Sequence, residues 1–172
     1  GLSLSGKIPF VNSFAVFATG RAFDQIRQSI CIAGLHVVIV GSSAGLSDFG
    51  DGSTHQAIED IAIMRSLPNM TVLCPADAIE VEKMVEAVVK HKGPVYMRIC
   101  RSDMPVVLDA EEPYELGKMI QLRKDGNVAI LATGWMVNVA LKAADTLKTL
   151  GITARVINVS CIKPLDTETL YS

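Results

Sequence analysis

The run His36-Val37-Val38-Ile39-Val40 constrains this chain most. It is too continuously apolar for a strand with one wet face, so it belongs inside a sheet covered on both sides. Other apolar runs are predicted as strands: Pro9 to Phe14, Thr71 to Cys74 and Val95 to Cys100. The stretches between them carry helical spacing. Phe17 to Ala33 reads as a helix closed by Gly34, a natural C-cap. A second helix is predicted from about Thr54 to Leu67, stopped by Pro68-Asn69. Asp77 is placed to cap a third, running to about Lys92 before Gly93-Pro94. Such alternation implies an α/β fold with a parallel sheet and right-handed crossovers.

The stretch from Arg101 to Gly126 differs. It holds Met104-Pro105, the polar segment Asp109 to Pro113 and a weak strand, Lys118 to Leu122, and reads as an interdomain linker. Beyond it come a strand, Val128 to Thr133, a helix from about Met136 to Leu150 closed by Gly151, and a strand, Thr153 to Val159. The expected division is a first domain over 1–101, a linker over 102–125 and a second domain over 126–172. A single βαβ unit leaves its sheet poorly covered, so the second domain reads as truncated. The first residue, Gly1, reads as an internal cut.

Composition narrows the function classes. A formal net charge of −2 gives no electrostatic reason to expect nucleic acid. No apolar run approaches the roughly 18 residues needed to span a bilayer, and the start lacks a basic secretory leader. Cys31, Cys74, Cys100 and Cys161 form no Cys-x-x-Cys pair. They read as buried thiols of a reducing, cytoplasmic compartment, not as a disulfide set or a metal site.

The segment Gly50-Asp51-Gly52-Ser53-Thr54-His55-Gln56 falls between a strand and a helix, where open α/β sheets bind their ligands. His55 has two readings: a helix-start histidine bonded to nearby backbone, or a catalytic imidazole kept neutral by the helix dipole and able to exchange a proton with a substrate hydroxyl. Asp51, between two glycines, is a turn aspartate or a ligand-facing carboxylate. Phe14 and Phe17 fit a core pair or an aromatic wall for a flat heterocycle. Arg101 follows a strand end, as a surface arginine or an anchor for an anion such as phosphate. Arg98, inside the strand, reads as internally paired. His36 reads as a strand-edge histidine, and His91 suits a helix C-terminus. The three histidines lack metal-ligand spacing, so no metal site is assigned. Gly50-Asp51-Gly52 matches the opening of a thiamine diphosphate and magnesium motif, but Asn69 comes too early to complete it. No Gly-x-Gly-x-x-Gly fingerprint follows either strand.

Taken together, several motifs carry a resemblance. They are Lys7 to Phe17, Arg21-Ala22-Phe23-Asp24-Gln25-Ile26-Arg27, Gly50 to Asp60, Arg65-Ser66-Leu67-Pro68-Asn69, Pro75-Ala76-Asp77 and Ile162-Lys163-Pro164-Leu165-Asp166. In this order they resemble the C-terminal half of transketolase, which in many prokaryotes is a separate subunit. The resemblance implies a pyrimidine-binding domain followed by the start of a C-terminal domain. It implies transfer of a two-carbon ketol unit between sugar phosphates, as in the pentose phosphate pathway. The implied cofactors are thiamine diphosphate and Mg2+, the metal held mainly by a partner N-terminal subunit. By motif position, Phe14 and Phe17 would line the pyrimidine pocket, His55 would be catalytic, Asp51 would bind a substrate hydroxyl and Arg101 would hold the sugar phosphate.

Three departures accompany the resemblance. The family's pyrimidine-bonding glutamate falls upstream of Gly1, so the sequence from Gly1 onward is expected to be inactive alone. The position of a phosphate-binding histidine falls on Ser43, and Gly20 lies near a ring-stacking tyrosine of some members. The expected assembly is a homo-oligomer at least, and a heterotetramer in the working enzyme. The alternatives are deoxyxylulose-phosphate synthase, the beta subunit of a 2-oxoacid dehydrogenase, or a non-catalytic assembly module.

Overall fold

The computed structural model describes residues 1–171. Strands β1 (Phe10–Phe14), β2 (Val38–Ser42), β3 (Thr71–Leu73) and β4 (Val95–Arg98) lie parallel in the order β1-β2-β4-β3. Alternate residues of β2 face opposite ways. Val38 packs with Leu73, Met84, Val88, Val95 and Met97 on one face. Ile39 packs with Met64, Met70, Val72 and Tyr96 on the other. Both faces are dry, which is why the run is continuously apolar. Because the strands are parallel, their carboxyl ends at Phe14, Ser42, Leu73 and Arg98 open on one side of the sheet.

The first helical segment comprises three consecutive pieces, Phe17–Arg21, Phe23–Gln25 and Ile26–Cys31, together termed α1. It occupies the predicted span, but much of it is wound in wide turns. The Ile32 amide bonds the Arg27 carbonyl, and the Leu35 amide bonds that of Ile30, each five residues back. The buried Thr19 hydroxyl also bonds the Ala15 carbonyl at 2.7 Å, a local competitor for a helix acceptor. Gly34, at φ +62°, closes the segment.

The helix predicted from Thr54 starts later. Gly52–Thr54 forms a short 3₁₀ turn, and α2 spans Asp60–Ser66. The residues between are held by a β-bridge from Gly45 to Ala57, with the Gly45 amide 2.8 Å from the Ala57 carbonyl. That long-range bond uses backbone an earlier helix would need. Helix α3 spans Ala78–Lys90 and begins as predicted, with Asp77 Oδ1 accepting from the Glu80 amide at 2.9 Å.

Strands β5 (Ile120–Arg123), β6 (Val128–Ala132) and β7 (Ala154–Asn158) form a second sheet, order β5-β7-β6, with α4 (Met136–Thr149) packed on it through Ala140 and Ala144. β5 lies in the stretch read from sequence as linker, where it pairs antiparallel with β7. The chain then crosses back: β8 (Cys161–Lys163) adds antiparallel to β3 as the fifth strand of the first sheet, before the short α5 (Thr167–Tyr171). Among the described residues no helix is long and apolar enough to cross a membrane.

Candidate active site

Three rings meet at the open end of the first sheet. Phe14 ends β1, Phe17 begins α1, and His55 ends the Gly52–Thr54 turn. The His55 ring stands edge-on to both phenyl rings, with centroids 5.3 Å from Phe14 and 5.0 Å from Phe17. The phenyl rings are 5.8 Å apart and also edge to face. Arg21 lies over Phe17, its guanidinium carbon 4.4 Å from the ring centroid. Phe14, Phe17 and His55 are all partly buried, so the group forms a wall and not a sealed core.

His55 Nδ1 lies 2.9 Å from the Thr54 hydroxyl. A hydroxyl donating to Nδ1 leaves the proton on Nε2, and one accepting from Nδ1 leaves Nε2 with its lone pair. Among the described residues Nε2 has no hydrogen-bond partner. The expectation that a helix dipole would hold this imidazole neutral is corrected. Helix α2 starts only at Asp60, and the dipole's influence is confined to the first turn.

The same loop carries the charged part of the site. Arg101 Nη1 lies 3.1 Å from Asp48 Oδ1 and 3.4 Å from Asp51 Oδ2. The Arg101 amide donates to the Ser47 hydroxyl at 3.1 Å. Thus Asp51 and Arg101, predicted separately, meet in one ion pair. Asp48 escaped the sequence reading. It is fully buried; its Oδ1 also lies 3.4 Å from the Asp51 amide, and its carbonyl accepts from Gln56 at 3.3 Å. Its Oδ2 is buried and, among the described residues, has no hydrogen-bond partner. In sequence it looks like one more polar loop residue, and only its spacing of three from Asp51 hinted at a shared turn.

Arg98 is internally paired, as expected. Its Nε donates to buried Asp60 Oδ2 at 2.8 Å, and the buried Tyr96 hydroxyl donates to the same oxygen at 2.6 Å. Arg98 also borders a cavity of about 370 Å³ lined by Ser47, Cys100, Ser102 and the Gly134-Trp135-Met136 turn. Ser43 is buried at φ +53°, turning the chain out of β2, while Gly20 is exposed with open space around it.

The remaining sequence candidates lie elsewhere. His36 bonds the Val88 carbonyl at 3.0 Å, and His91 faces the Thr71 hydroxyl at 3.2 Å. Burial lowers the His91 pKa. All four cysteines are free, three of them buried, and burial raises Cys31 and Cys161 to about 11. Among the described residues no group of three or more His, Cys, Asp or Glu is placed to hold a metal ion.

Comparison with known proteins shows what the whole chain is similar to. The family model described as "Transketolase, pyrimidine binding domain" matches residues 1–106, and "Transketolase, C-terminal domain" matches residues 117–172. A 6-deoxy-6-sulfo-D-fructose transketolase subunit of Clostridium sp. (strain MSTE9) is 44% identical over 98% of this chain, which spans 52% of that protein. A 1-deoxy-D-xylulose-5-phosphate synthase of Rippkaea orientalis is 40% identical over 98% of the chain, which spans 27% of it. A solved split-gene transketolase, an inactive beta4 tetramer, superposes with a TM-score of 0.90 at 45% identity, covering 98% of this chain and 54% of that one.

Proposed function

The chain belongs to the transketolase family, and from that premise we propose that it supplies the pyrimidine-side and substrate-binding half of a thiamine-diphosphate-dependent ketol-transfer site. The observation that carries this reading is the wall of Phe14, Phe17 and His55 at the carboxyl ends of the strands, with Asp51 and Arg101 on the adjoining loops. Edge-on rings of this kind fit one face of a flat heterocycle. Thiamine diphosphate, when bound, supplies the carbanion chemistry. His55 Nε2, unpartnered, holds or moves a proton at a substrate oxygen. Asp51 binds a sugar hydroxyl, and Arg101 holds the terminal oxyanion of a sugar phosphate. A sulfonate, such as that in the Clostridium relative's substrate name, presents similar oxygens to the same guanidinium.

The metal and diphosphate are assigned to a companion N-terminal subunit. Leu46, Phe49 and Ile58 flank the site loop and are 69%, 82% and 77% exposed, a surface suited to cover by another chain. The split-gene relative, an inactive beta4 tetramer, supports a chain that assembles with copies of itself and needs a companion for turnover. The free, largely buried thiols fit a cytoplasmic setting.

Calorimetric titration of thiamine diphosphate into the mixed assembly tests the wall. Phe17→Ala should weaken cofactor binding about tenfold, from lost apolar contact plus about 0.5–1.5 kcal/mol of ring–ring geometry. Unchanged affinity would remove the wall from the cofactor site. The synthase relative, at 40% identity along nearly the whole chain, favours one second reading. Product analysis separates the two: 1-deoxyxylulose 5-phosphate as product, in place of exchanged ketoses, would assign the chain to the synthase.

A further inference from the structure

Arg101 is held by two carboxylates of different character. Asp48 is fully buried, and its Oδ1 lies 3.1 Å from Nη1. Asp51 is about half exposed in its side chain, and its Oδ2 makes the longer contact of 3.4 Å to the same nitrogen. A charge pair reaching into solvent is weak and easily replaced, whereas a buried partner stays in place. A guanidinium also offers five donors on more than one edge, so it can keep one oxyanion while accepting another.

We propose that Asp48 is the permanent anchor of Arg101, and that Asp51 is an exchangeable counter-ion which an arriving sugar oxyanion displaces. This rests on the reading of Arg101 as the oxyanion-binding residue. Displacement frees the Asp51 carboxylate at the moment a phosphorylated or sulfonated substrate enters, so recognition of the substrate's charged end makes Asp51 available for the hydroxyl end. The Oδ2 of Asp48, buried and without a hydrogen-bond partner among the described residues, adds a second acceptor toward which the guanidinium can turn once Asp51 has left. Asp48 is therefore a positioning residue: it touches Arg101 and the Asp51 amide and fixes the loop through Gln56.

The signs of the substitutions make the proposal testable. The probe is inorganic phosphate, titrated by 31P NMR line width into the mixed assembly with thiamine diphosphate already bound, so that the diphosphate site is filled. Asp51→Asn should tighten phosphate binding roughly two- to fivefold, the scale of a partly exposed ion pair. Asp48→Asn should weaken it by a similar factor while leaving cofactor affinity unchanged. Arg101→Gln should weaken it by about tenfold or more. If Arg101→Gln has no effect, the reading of Arg101 fails and the proposal falls with it. If Arg101→Gln weakens binding but Asp51→Asn does not tighten it, the exchange alone is overturned. Tightening in Asp48→Asn would show Asp48 to be a second competitor and overturn its role as anchor.

Discussion

Asp60→Ala should cost this chain about 3 kcal/mol. Asp60 opens α2, directly downstream of the loop that carries Asp48, Asp51 and His55. Its Oδ2 accepts from the Tyr96 hydroxyl at 2.6 Å and from Arg98 Nε at 2.8 Å, and its side chain is 1% exposed. Stranding a buried charge partner costs about 3–5 kcal/mol, and orphaning a buried hydroxyl about 1–3 kcal/mol. Two features pull the sum down. The Arg98 side chain keeps 19% exposure and borders the 370 Å³ cavity, so its guanidinium can be hydrated. Both bonds also end on one oxygen, so their losses do not add. For a domain of this size a loss near 3 kcal/mol lowers the melting temperature by about 6–12 °C. Urea unfolding of the intact chain at fixed protein concentration measures it. Tyr96→Phe should lose only about 1 kcal/mol, because Asp60 keeps Arg98. A loss below about 1 kcal/mol for Asp60→Ala would refute the reasoning that this carboxylate holds the strand–helix junction.

Three further outcomes follow from named contacts. Asp166 is bonded first by the Thr169 hydroxyl, with the Met119 and Thr169 amides adding to it, and its carboxyl is held down at about 2. Its contribution is therefore fully present above about pH 4, the unfolded carboxylate range, and is lost as pH falls through about 2. Urea midpoints across that window should fall steeply in the wild type and less so in Asp166→Asn. Glu80 is buried, its pKa raised by desolvation, and accepts from the Ala76 amide at 2.6 Å and from Asn158 Nδ2 at 3.0 Å. Glu80→Ala orphans both donors and should cost about 2–5 kcal/mol in the same assay. Gly41 in β2 lies against the buried Tyr96 ring, where an added Cβ would stand 2.7 Å from Cε2 and 2.9 Å from Cζ. Gly41→Ala should destabilise by about 1–3 kcal/mol through overpacking, read as a lower urea midpoint.

What the sequence made legible was local or strongly patterned. The unbroken apolar run of β2 announced a strand covered on both faces, and Val38 and Ile39 do face two different clusters. Asp77 was readable as a cap because its bond to the Glu80 amide spans three residues. The start of α2 was not, because it depends on the bridge from Gly45 to Ala57. Nor was β8, whose three residues carry no period and gain their meaning by pairing with distant β3. The site divides the same way. Asp51, His55 and Arg101 stood out by loop position. Asp48 and Asp60 looked like ordinary surface acids because their arginine partners lie 53 and 38 residues away. The edge-on approach of His55 to Phe14 and Phe17 is likewise a product of folding, joining a strand end, a helix start and a turn.

The most direct test of the central claim is two-carbon transfer between sugar phosphates by a mixed assembly. It would combine the companion subunit, the chain extended to its relatives' full length, thiamine diphosphate and Mg2+. The account predicts turnover with the wild-type chain and a loss of roughly 100-fold or more with His55→Ala, the scale of a removed proton-transfer group. Full activity of His55→Ala, or no transfer by a wild-type assembly shown to form and to bind cofactor, would contradict it.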